Sequence, residues 1–136
     1  MKMRWGRIAI ATLFAELVPV GLLFVAVAAF GPRDPFGAAF FAEAAGHWIG
    51  PIAGAAAAFC GALWVVRPLK AGKVLHGVVI GCALAILDVA ILVKMQTPFE
   101  WIFVYSSLGK ICAGWLGGFM AARHQRSTAR PASFSH

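Results

Sequence analysis

Residues 8–30 read IAIATLFAELVPVGLLFVAVAAF, an apolar run interrupted by a single charge, Glu16, and a single proline, Pro19. Wound as a helix rising 1.5 Å per residue, such a run extends about 35 Å, enough to cross the ~30 Å hydrocarbon layer of a bilayer. Three further runs have the same character, at residues 46–66, 74–93 and 101–122, and most of the Pro, Asp, Glu, Lys and Arg fall between them. The pattern predicts an all-α chain: an integral membrane four-helix bundle over residues 1–122, with a basic, disordered tail over 123–136. Strands of a membrane barrel would instead alternate in polarity over ~10 residues, and no stretch does so.

The composition agrees with the bilayer as solvent. Hydrophobic residues make up 61% of the chain and charged residues 12%, at a mean hydropathy of +0.82. A soluble domain holds roughly 45–50% apolar and about 25% charged residues. Low apolar content would be needed for disorder, and more than the three cysteines for a disulfide scaffold. Cys60, Cys82 and Cys112 fall inside the apolar runs in no metal-binding spacing and read as small packing residues. Met1–Arg7 has the character of a signal n-region and Ala26-Val27-Ala28 that of a cleavage site. The run is longer than the usual ~7–15-residue signal core and holds Glu16 and Pro19, which argues for retention as a span.

Lysine and arginine set the orientation. Lys2, Arg4 and Arg7 precede the first run, Arg67, Lys70 and Lys73 fill the second connection, and Arg123, Arg126 and Arg130 follow the fourth. Those nine of the twelve share one end, whereas Asp34, Glu43 and Glu100 belong to the other. The positive-inside rule puts both termini in the cytoplasm of a cell inner membrane. Trp5 and Trp64 mark the inner interface and Trp48 and Trp101 the outer one. The net charge of +7 is thereby accounted for by topology and by anionic lipid, not by nucleic acid. The lipid bilayer is the expected partner, together with a second copy or a membrane partner subunit.

Punctuation at the run ends is specific. Asp34-Pro35 supplies a helix cap and first residue, so that a helix starts there, either as an interfacial piece over Phe36–Ala45 or as an extension of the second span. Thr97-Pro98-Phe99-Glu100 has the spacing of a capping box. Pro19 is expected to kink the first span and Gly50-Pro51 to bend the second.

Small residues and charges coincide on three helix faces. Gly77, Gly81, Ala85 and Asp88 share one, Ser106, Lys110, Gly114 and Gly118 another, and Glu43, His47, Gly50 and Gly54 a third. Close packing of small residues drives helix association in lipid, so Gly50, Gly54, Gly77, Gly81, Gly114 and Gly118 are the expected packing positions. A charge at the bilayer centre costs ~2.5–3.5 kcal/mol even on lenient scales, and therefore faces the bundle interior. This singles out Glu16, about 4 Å inside the midplane, Asp88, about 7 Å outside it, and Lys110, about 2 Å outside it. Asp88 and Lys110, on consecutive spans, are expected to pair, with Glu16 competing for the same ammonium. Glu16 and Asp88 also hold like places in the first and second helix pairs, a faint internal repeat.

These residues leave three readings open: a titrating, proton- or cation-coupled site, a polar clamp that fixes helix register, or a lipid or small-ligand pocket. Glu43 and His47 are too few to hold a metal and read as interfacial, as do His76 and His124. No nucleophile–base pair, HExxH, phosphate loop or haem-ligand pair is present, so no cofactor or metal site is expected and a membrane enzyme, the third class, is left without support. The leading expectation is a non-catalytic structural or partner-binding membrane subunit. The alternative is a small proton- or cation-coupled transporter or channel using Glu16, Asp88 and Lys110. At Lys73-Val74-Leu75-His76-Gly77 with Gly81, and Lys110 with Gly114, Gly117 and Gly118, the chain resembles small four-helix bacterial inner-membrane proteins of unassigned function. The resemblance covers the four runs but not the tail, and brings no activity or functional residue with it.

Overall fold

The computed structural model describes residues 4–96 and 100–128. It is all-α, with α1 at Trp5–Phe30, α2 at Pro35–Val66, α3 at Lys73–Met95 and α4 at Trp101–Thr128. The first, second and third are long and apolar enough to cross a membrane. Large apolar side chains such as Phe14, Phe24, Phe40, Trp48 and Ile86 point outward, while alanines and glycines fill the interior. That is the inverse of a soluble core and suits a lipid surround.

Local chemistry fixes the helix ends. Asp34 caps α2 through Oδ1, which accepts from the Gly37 N–H at 2.7 Å, with Pro35 as first residue. A Cβ on Gly37 would lie 2.6 Å from the same carboxylate, so glycine is what lets this cap close. The stretch Phe36–Ala45 is a continuous extension of α2 and not a separate piece. Pro19 and Pro51 sit inside unbroken helices. α3 starts after Gly72, whose φ of 70° suits a residue without a Cβ. The expected box at Thr97-Pro98-Phe99 lies outside the described residues. α4 continues past Ala122 to Thr128, where a disordered tail was expected from Arg123. Nothing in Ala-Arg-His-Gln-Arg breaks a helix, and cations at a C-terminus favour its dipole.

α1 packs on α2, α2 on α4 and α4 on α3, while α1 and α3 meet more lightly; among the described residues the Cα atoms of α1 and α4 do not come within 8 Å. The dry core consists of Ile8, Ala11, Ala15, Ala57, Ala58, Ala62, Val65, Ile80 and Leu84. All of it lies toward the basic end. At the α3–α4 contact a Cβ on Gly81 would stand 2.6 Å from Ile111 Cα, one on Gly114 2.5 Å from the Gly77 carbonyl oxygen, and one on Gly118 2.7 Å from that of Lys73. These two helices touch backbone to backbone.

Candidate functional site

Lys110 is where the four helices are joined. Its side chain leaves α4, runs beside Gly54 of α2, where a Cβ would lie 2.6 Å from Cε, and ends between α1 and α3. Nζ donates to Glu16 Oε1 at 2.9 Å and to Asp88 Oδ1 and Oδ2 at 2.7 and 2.8 Å. An ammonium has three donors, and these contacts use them all. Lys110 is only 3% exposed, whereas the Glu16 and Asp88 side chains keep 17% and 18% of their surface. Asp88 and Lys110 do pair, and Glu16 joins them instead of competing, because one ammonium serves both acids. It does so although the backbones of α1 and α4 stay apart.

Among the described residues the site holds two acids and one base. Burial makes such an imbalance costly unless a proton, a cation or water meets it. Both acids keep an exposed edge. They form the floor of a cavity of about 370 Å³ at the acidic end of the bundle, with walls from all four helices. Along α2 the lining runs from Ala42 to Pro51, roughly 14 Å of helix at the standard rise. Most of the wall is apolar, with Ser106 of α4 as a hydroxyl part-way up and Glu43 and His47 at the rim. His47 Nε2 sits 3.2 Å from Glu100 Oε2, tying α2 to the start of α4 across the mouth. Pro19 and Pro51 both line this space. Each lacks an N–H, so the carbonyls of Ala15 and His47 lose their usual helical donors. Below the floor the packed alanines begin, and the cavity ends.

Several residues sit elsewhere than their spacing suggested. Gly50 meets nothing within 4 Å and lines the cavity instead of packing against a helix. Gly54 houses a lysine side chain. His76, read as an interfacial residue, is fully buried, its Nδ1 2.9 Å from the Gly72 carbonyl. Cys60 and Cys112 are exposed and Cys82 half-buried, all as free thiols. No group of three metal-binding side chains occurs among the described residues. The His47–Glu100 pair was not foreseen, and a pocket stood only as one of three readings of the intramembrane charges. Alternating charge on facing helix ends was the one available signal for the pair, and no sequence signal marks a void. Comparison of the chain with family models, curated proteins and solved structures finds no match.

Proposed function

We propose that the chain is a small proton- or cation-coupled membrane transporter or channel that works through Glu16, Asp88 and Lys110. The observation that carries this reading is a vestibule ending on two carboxylates that share one ammonium. A proton or small cation arriving from the acidic end neutralises the second carboxylate and leaves Lys110 to the first. Its departure returns the ammonium to both. The rim carboxylates Glu43 and Glu100 favour cations over anions at the mouth. Passage onward requires the small-residue contacts around Ala15, Ala58 and Leu84 to part, a shift of packed helices. A purely structural or partner-binding subunit accounts for the ion pairs but needs no cavity above them.

This reading takes all four helices as spans, α4 included, with both termini on the cytoplasmic side of a bacterial inner membrane. Nine basic residues at one end support that orientation. The test is ion flux in proteoliposomes under an imposed proton or monovalent-cation gradient. The native protein is expected to dissipate one of these gradients, and Glu16→Gln to abolish the effect. Equal flux with and without Glu16, or none in either, rejects the reading.

A further inference from the structure

At the opposite end lies a second, larger hollow of about 720 Å³ between α2 and α4. Its polar side chains are Arg67, Lys73 and His124, and its apolar wall includes Leu63, Trp64 and Met120. The guanidinium of Arg7 lies 4.7 Å from the centre of the Trp64 ring, adding another positive charge beside it. Every carboxylate side chain of the protein (Glu16, Asp34, Glu43, Asp88, Glu100) is either at the central triad or at the far end. Among the described residues no carboxylate pairs with Arg67 or Lys73.

Lys73 is the decisive residue. It is 7% exposed, and its Nζ donates to the Ala121 carbonyl at 3.2 Å. Among the described residues no carboxylate comes within 4.0 Å of it. One neutral acceptor uses one of three donors and leaves the charge itself unmatched, which is costly at this depth. Lys73 is also the first residue of α3, whose N-terminus has no side-chain cap, so the positive end of the helix dipole adds to the same field. A phosphate oxygen set would meet these donors.

We propose that this hollow binds an anionic phospholipid, its phosphate held by Lys73 and Arg67 and its acyl chains running along Leu63, Trp64 and Met120. The wall decides for lipid over a free phosphate. Trp64 and Met120 are exposed on the outer surface of the bundle, so the hollow opens sideways into the region where chains lie, at the depth where tryptophan marks an interface. Basic pockets between membrane helices take phospholipid headgroups in this way. The site is separate from the vestibule and stands whether or not the protein moves ions.

The experiment is native mass spectrometry of the full chain in detergent, titrated with phosphatidylglycerol, phosphatidylcholine or inorganic phosphate. One phosphatidylglycerol is expected to be retained in preference to phosphatidylcholine. Removing a single charge, by Lys73→Met or by the exposed Arg67→Gln, should weaken retention about fivefold or more. Lys94→Met, at the other end, should leave it unchanged. Arg67→Gln touches no buried contact and keeps the test valid if Lys73→Met fails to fold. Equal retention of phosphatidylcholine, an unchanged Arg67→Gln, or displacement of the lipid by inorganic phosphate overturns the proposal.

Discussion

The three oxygen contacts of the Lys110 ammonium set an order of damage among substitutions. Lys110→Met strands two carboxylates, and removing one partner of a buried pair typically costs about 3–5 kcal/mol. Asp88→Asn leaves Lys110 a single acid in a matched pair and should cost clearly less. Asp88→Asn combined with Lys110→Met should be less harmful than the two losses added together. Thermal or denaturant unfolding in detergent measures all three, and strict additivity would show that Asp88 and Lys110 act independently. Both acids and the base were legible in the sequence, because a charge within an apolar run has few places to go. The seat provided by Gly54 was not legible. A glycine spaced four from another looks the same whether it faces a neighbouring backbone or a lysine stem, and only the packing of α4 on α2 separates the two.

At the scale of elements, α3 and α4 depend on glycine more than any other pair. Gly77→Ala would set a methyl group against the Gly114 carbonyl and within 3.1 Å of Gly118 Cα. Backbone cannot swing aside as a side chain can, so the helices must separate, at about 1–3 kcal/mol by the usual scale of overpacking. Gly50→Ala meets nothing and gains helix propensity, so it should be neutral or slightly stabilising. Unfolding of the two variants side by side gives the contrast, and equal losses would refute the backbone contact. The apolar runs of the first three helices were plain from composition, and the Asp34-Pro35 start could be read to the residue. The far end of α4 was not, because span length limits only what the bilayer covers. A helix of Ala, Arg, His and Gln continues in water on its own propensity.

Taken whole, the molecule has a vestibule that reaches the triad from the acidic end and a packed core that closes it on the other side. A small thiol reagent should reach Ser106→Cys on the vestibule wall but not Ala58→Cys, which is wholly buried, in a chain whose native cysteines are replaced by alanine. In intact cells an impermeant reagent should label His47→Cys from outside, and Arg67→Cys only after the cells are opened. The reverse pattern would invert the orientation. This division of the bundle also decides where a transmembrane voltage falls. On the proposed reading, in which the vestibule holds water, little potential is lost between the mouth and Glu16. The drop is concentrated over the stretch from Glu16 back to Trp5, roughly 16 Å of helix in place of the ~30 Å of a full hydrocarbon layer. The gradient there would be nearly doubled, and the ~2.3 kcal/mol that each 100 mV contributes per unit charge would act almost entirely on the proposed step past Ala15 and Leu84.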